Sequence, residues 1–171
     1  MVKSGERWEM NPLSPEWKRQ TQRGESMFMG EYKHTIDAKG RLIIPSKFRE
    51  ELGQAFFMTK GLDGCLFIFP QDQWKDFEEK LRKLPLIDKN SRKFSRFFLS
   101  GASPCELDRQ GRILVPGILR DYAKIDKEVI FSGMLDRIEV WSKERWSMNN
   151  AYEEEAMDKI AASMQAMGLS I

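Results

Sequence analysis

One phrase of sixteen residues occurs twice in this chain: DAKGRLIIPSKFREEL at 37–52 and DRQGRILVPGILRDYA at 108–123. The copies are identical at Asp37/Asp108, Gly40/Gly111, Arg41/Arg112, Pro45/Pro116 and Arg49/Arg120. They match in character at Leu42/Ile113, Ile43/Leu114, Ile44/Val115 and Phe48/Leu119. After one inserted residue in the second copy, GLDGCLFIF faces GMLDRIEVW, and Trp74 falls opposite Trp146. A duplication limits the possible folds more than composition does, because the chain must build the same unit twice and join the results. A unit of about 45 residues buries too little surface to offset its chain entropy alone. Two units sharing one core follow from that.

Each copy has a readable local plan. EYKHTI in the first and SPCELD in the second have strand character and lead into Asp-x-x-Gly. There the aspartate side chain accepts local backbone N–H bonds, and glycine supplies the positive φ of a tight turn. Arg41-Leu42-Ile43-Ile44 and Arg112-Ile113-Leu114-Val115 leave the turn as β-rich strands that end at proline. SKFREEL and GILRDYA read as one or two helical turns. AFFMTKG with CLFIF, and EVIFSG with IEVW, read as two further short strands around a turn. The expected body is compact and β-barrel-like, built from paired hairpins of both copies.

Helices lie between and after the copies. QDQWKDFEEKLRKL places Trp74, Phe77, Leu81 and Leu84 near helical spacing and stops before Pro85. KNSRKFSRFFLSG sets Lys89, Arg92, Lys93 and Arg96 along one stripe, with Phe94, Phe97, Phe98 and Leu99 on the apolar side. Such a stripe is ordinarily a solvated helix face; it is retained as a secondary phosphate site. The tail, EEEAMDKIAASMQAMG, carries Ala156, Ile160, Met164 and Met167 on one face, a packing helix for the body or for a neighbouring subunit.

Several function classes are excluded. No apolar run approaches the ~20 residues that cross a bilayer. The start, MVKSGERWEM, lacks the apolar segment of a secretory signal, so a cytoplasmic protein is expected. Cys65 and Cys105 are each isolated, and His34, the only histidine, has no partner at ligand spacing. Neither metal chemistry nor thiol catalysis is expected, and no cofactor or small-molecule substrate. The net charge is only +2, so any DNA binding must rest on local clusters of charge.

The sequence resembles the MraZ family, bacterial proteins related to AbrB, SpoVT and the MazE antitoxin through the swapped-hairpin barrel. The likeness runs from MFMGEYKHTIDAKGRLIIP to RIEVWSKERW and rests on the two D-x-x-x-R turns, each followed by an aliphatic strand and proline. The resemblance implies an α+β, mainly β fold: a swapped-hairpin barrel formed by two tandem repeats, with peripheral helices. It also implies a DNA-binding transcriptional regulator of the division and cell-wall gene cluster. Such a regulator binds short direct repeats in double-stranded promoter DNA, acts as a homo-oligomeric ring and associates with the nucleoid. The implied organisation is an N-terminal extension at 1–26, a first repeat at 27–80, a helical linker at 81–101, a second repeat at 102–146 and a C-terminal helix at 147–171. The family begins near Met27, and residues 1–26 are expected to be poorly ordered or a start-site artefact.

The expected DNA contacts are Lys39, Arg41, Arg109 and Arg112, projected by the turns from a rigid β base. Guanidinium groups bind phosphate or read guanine O6 and N7 in bidentate fashion, and a two-stranded ribbon fits the major groove. Asp37, Gly40, Asp108 and Gly111 are expected to shape the turns, since carboxylates repel phosphates. The plainer reading of Arg41 and Arg112 is an ion pair with Asp37 and Asp108 that merely pins each turn; exposed pairs contribute only ~0–1 kcal/mol. Arg49 and Arg120 are expected to anchor the barrel or a subunit contact. Two aspartates from duplicated halves also resemble an aspartic-protease pair, but each has Lys or Arg two to four residues on, which keeps both ionised. No catalytic residue is expected. The remaining alternative is an antitoxin-like or scaffold barrel that binds a partner protein.

Overall fold

The computed structural model describes residues 27–170; the expectation about residues 1–26 lies outside them. The first repeat contributes β1 (Glu31–Thr35), β2 (Arg41–Ile43), α1 (Ser46–Leu52), β3 (Ala55–Lys60), β4 (Leu66–Pro70), α2 (Gln71–Arg82) and α3 (Lys89–Gly101). The second contributes β5 (Ser103–Glu106), β6 (Arg112–Leu114), α4 (Gly117–Ala123), β7 (Glu128–Gly133), β8 (Ile138–Ser142), α5 (Lys143–Asn150) and α6 (Glu154–Ala166). The two halves run through the same sequence of elements. β3 with β4, and β7 with β8, are the hairpins read from the sequence.

The strands are exchanged. A six-stranded antiparallel sheet has the order β1-β7-β8-β4-β3-β5, which reads the same from either end when the repeats are interchanged. β1 of the first repeat pairs with β7 of the second, Glu31 opposite Ser132 and Thr35 opposite Glu128. β5 of the second pairs with β3 of the first, Ala55 opposite Glu106 and Met58 opposite Ser103. Neither unit can close its sheet without the other. This is the swapped-hairpin barrel of two tandem repeats.

A second, two-stranded sheet, β2-β6, crosses the open side. Its central pair is Leu42 opposite Ile113, equivalent residues of the two repeats, so a pseudo-two-fold axis passes between them. In the large sheet the same axis passes between Phe67 and Glu139, also equivalent and also opposite.

Alternation along the strands sorts the side chains into two layers. Leu66, Ile68, Ile138 and Val140 join Phe56, Met58, Val129 and Phe131 on one face. Leu42, Ile44, Ile113 and Val115 from the ribbon, Phe48 and Leu52 from α1, and Leu119 and Ala123 from α4 close this core. Both repeats contribute matching residues, which is how two marginal units make one core.

The opposite face of the sheet carries a second, aromatic cluster that includes Phe67, Phe69, Ile130 and Trp141. Helices α2 and α3 cover its first-repeat side. Trp74 stacks on Phe57 with centroids 5.0 Å apart. Phe77 stacks on Phe69 at 5.2 Å. Helix α3 buries Phe98, and its carbonyl accepts a hydrogen bond of 2.6 Å from the buried Thr59 hydroxyl. At its start, Asp88 caps the helix, accepting from the Ser91 backbone N–H at 2.8 Å. On the second-repeat side Trp146 of α5 meets Trp141 edge-on at 5.8 Å. The tail divides into α5 and α6, and no residue of α6 is buried.

Candidate nucleic-acid interface

Each D-x-x-x-R segment folds into the same small device. The Asp37 N–H donates to the Arg41 carbonyl at 3.0 Å and the Gly40 N–H to the Asp37 carbonyl at 3.0 Å. Asp37 Oδ1 accepts from the backbone N–H groups of Lys39 and Arg41, both at 2.9 Å. Its Oδ2 accepts from Arg41 Nε at 2.6 Å. The second turn repeats this: Asp108 Oδ1 accepts from Gln110 N–H at 2.8 Å and Arg112 N–H at 2.9 Å, and Oδ2 from Arg112 Nε at 2.8 Å. The Arg41 backbone N–H, then the Arg41 side chain and the Lys39 N–H, hold the Asp37 carboxyl below its ordinary pKa against some desolvation. Asp108 is held down in the same way by Arg112 and then Gln110.

The ion pair and an outward role for the arginines are compatible. Each aspartate engages only Nε. Among the described residues, no protein group accepts from the terminal nitrogens of Arg41 or Arg112. The carboxylate fixes the inner edge of the guanidinium and leaves its two-nitrogen fork unengaged, the edge that recognises phosphate or guanine.

Gly40 and Gly111 are buried, with φ of +82° and +74°. The positive φ is only half of their constraint. A Cβ at Gly40 would lie 2.9 Å from the Arg120 guanidinium carbon, and one at Gly111 would collide with the Arg49 guanidinium. Each of these arginines therefore packs against the other repeat's turn. Arg120 Nε also donates to the Val115 carbonyl at 3.1 Å. Backbone bonds reinforce the exchange: Ile44 N–H to the Gly111 carbonyl at 3.0 Å, and Val115 N–H to the Gly40 carbonyl at 2.9 Å.

The ribbon register decides what faces outward. Arg41 lies opposite Leu114, and Ile43 opposite Arg112. Residues directly opposite one another in an antiparallel pair share a face, and residues two apart do too. Arg41, Ile43, Arg112 and Leu114 thus occupy one face of the ribbon, and Leu42 and Ile113 the core side. Ile43 and Leu114 are 42% and 64% exposed, although both are large and aliphatic. Sequence reading took the whole aliphatic run as strand and missed this pair. The signal was present: alternation from the buried Leu42 and Ile44 puts Ile43 on the other side. Lys39 and Arg109 are exposed at the turn tips.

The basic stripe of α3 belongs to the opposite side of the molecule, since α3 packs on the aromatic face of the sheet and the ribbon covers the other. The two cysteines are buried and unpaired. Burial raises the Cys65 thiol far above its ordinary pKa and Cys105 to about 11, which removes thiolate chemistry. His34 packs edge-on against Phe131 with centroids 5.5 Å apart. Among the described residues, no group of His, Cys, Asp and Glu is arranged to hold a metal, and no helix is long and apolar enough to cross a membrane.

Comparison with known proteins decides the family. The family model described as "MraZ protein, putative antitoxin-like" matches twice, at residues 27–97 and 98–167. The chain belongs to the MraZ family. It is 55% identical over 144 residues to the transcriptional regulator MraZ of Lachnoclostridium phytofermentans, covering 84% of this chain and 99% of that protein. It is 57% identical over 141 residues to that of Moorella thermoacetica, covering 82% and 96%. Over 135 residues it is 57% identical to that of Caldanaerobacter subterraneus subsp. tengcongensis, covering 79% and 94%. These MraZ relatives are named as regulators of transcription, not as enzymes.

Proposed function

We propose that this chain is a sequence-specific DNA-binding transcriptional regulator whose β2-β6 ribbon is the DNA-reading surface. The observation that carries the reading is the pair of Asp–Arg turns on one ribbon face, each guanidinium fixed through Nε with its fork unengaged. A fixed fork loses less rotamer freedom on binding, which suits bidentate recognition of guanine or phosphate. The exposed Ile43 and Leu114 between the arginines match the thymine methyl groups that a major groove presents. Lys39 and Arg109 at the tips meet flanking phosphates.

The two tips differ: Ala38-Lys39 in one, Arg109-Gln110 in the other. A two-fold symmetric pair of tips matches a palindrome. This fused pair has a direction, and short direct repeats are the DNA pattern that keeps direction constant from site to site. With a net charge of only +2, one subunit supplies weak long-range attraction. A homo-oligomeric ring that presents many ribbons to successive repeats makes later contacts intramolecular and so raises affinity. The family resemblance points to the promoter of the division and cell-wall gene cluster as the target, and hence to association with the nucleoid.

A gel shift with the protein's own promoter fragment and a scrambled fragment tests this. The expected result is a specific shift that both Arg41→Ala and Arg112→Ala abolish. No specific shift at low salt, with the fold intact by circular dichroism, rejects the regulator reading and favours an antitoxin-like or scaffold barrel.

A further inference from the structure

We propose that helix α6 of one copy seats in the groove between α2 and α3 of a second copy, linking subunits head to tail. This rests on the oligomeric part of the proposed function and specifies the contact that makes the assembly.

Helices α3 and α6 follow corresponding elements of the two repeats, α2 and α5, but they are used differently. Helix α3 buries Phe98 against its own sheet. Helix α6 buries nothing, yet Met157, Ile160 and Met164 form an apolar stripe at i, i+3 and i+7. An amphipathic helix with an empty apolar face gains little by remaining in water, because short helices draw their stability from packing that face.

The α2–α3 groove is formed and unfilled among the described residues. It forms an open cleft of about 440 Å³ whose lining includes Leu81, Leu84 and Leu86, with Arg82, Arg92 and Arg96 around them. At its mouth Leu86 and Ile87 are 83% and 92% exposed. They are held there: Arg92 Nη1 donates to both of their carbonyls, at 3.1 and 2.9 Å. A fixed, exposed aliphatic pair beside an arginine rim fits an apolar, acidic segment.

The chain contains such a segment. Glu153 at the cap and Glu154 in the first turn of α6 border the apolar stripe, with Glu155 and Asp158 further round the helix. Lys89 and Lys93 add to the basic side of α3. DNA held on the ribbon lies on the far side of the sheet from this rim and does not compete for it. A contact between two different surfaces of identical chains is heterologous and builds rings when the rotation closes.

Two coexpressed full-length variants test the contact, one carrying Ile160→Cys and the other Leu86→Cys, followed by mild oxidation. The native cysteines are buried and do not compete. The expected product is a covalent dimer that requires both new cysteines, on a background of multi-subunit mass by light scattering. In a second arm, Glu154→Arg/Glu155→Arg/Asp158→Arg raises the concentration for half-assembly at least tenfold, and adding Arg82→Glu/Arg96→Glu restores it. Wild-type mass of several subunits with no mixed dimer overturns the docking and leaves the oligomer reading standing. A cross-link found only within single chains of the Ile160→Cys/Leu86→Cys double variant overturns it too. A monomeric wild type overturns both.

Discussion

The first and second repeats share a skeleton and differ at their surfaces. Leu42 and Ile113, Ile44 and Val115, and Leu66 and Ile138 serve one core from equivalent places. Away from that core the repeats have diverged: the buried Phe67 stands opposite Glu139 across the same axis, Lys39 answers to Gln110 at the tips, and a docked α3 answers to an unburied α6. The buttressing arginines show it within one device, since Arg120 Nε has an acceptor whereas Arg49 Nε is buried without one among the described residues. A shared core holds its two contributors to the same shapes, because a change in either is felt by both. The surface has no such coupling, so one tip can specialise apart from the other.

The core is where breaking the comparison costs most. Leu42→Ala and Ile113→Ala should each destabilise by about 2–5 kcal/mol in chemical denaturation. The two losses should be similar, because the residues face each other across the axis. A large difference would mean that the repeats do not share the core equally.

At the ribbon, Arg41→Ala and Arg112→Ala should each weaken promoter binding by about 1–3 kcal/mol per ribbon contact, with little change in stability. Anisotropy titrations at fixed salt measure this. Equal losses would make the two forks equivalent readers; unequal losses would show that the direction imposed by the tips extends into the strands.

The tips should differ by less. Arg109→Ala is expected to weaken binding more than Lys39→Ala, because a guanidinium offers parallel donors where an ammonium is a point charge. Each should lower the slope of log affinity against log salt by about one if it touches a single phosphate.

Acid gives the smallest and most symmetrical effect. Both turn carboxyls are depressed, so the pinning they provide is complete above the ordinary carboxylate value, near pH ~4. It is lost as pH falls through the lower folded values. The Lys39 and Gln110 amide resonances, whose N–H groups donate to these carboxylates, should move together below that pH.

Much of this was legible in the sequence because it is local. Asp-x-x-Gly followed by β-branched residues names its own turn and strand, and Pro85 marks where α2 must stop. What the sequence could not show is which hairpin β1 joins. Hairpins β3-β4 and β7-β8 carry the same apolar pattern, so periodicity fits a closed unit and an exchanged one equally well. The exchange came from family resemblance. Arg49 and Arg120 were visible as a repeated identity, but their partner glycines belong to the other repeat, a relation that local pattern does not encode. The tail divides into α5 and α6 just after Asn149-Asn150, poor helix formers set between two helix-forming runs.

Cross-linking of bromouracil-substituted promoter DNA to the full-length protein, with the adducts mapped by mass spectrometry, tests the choice of DNA face most directly. Adducts should fall within 37–43 and 108–114, on both turns and their strands. Adducts confined to Lys89–Arg96 on α3, with the ribbon unmarked, would contradict it.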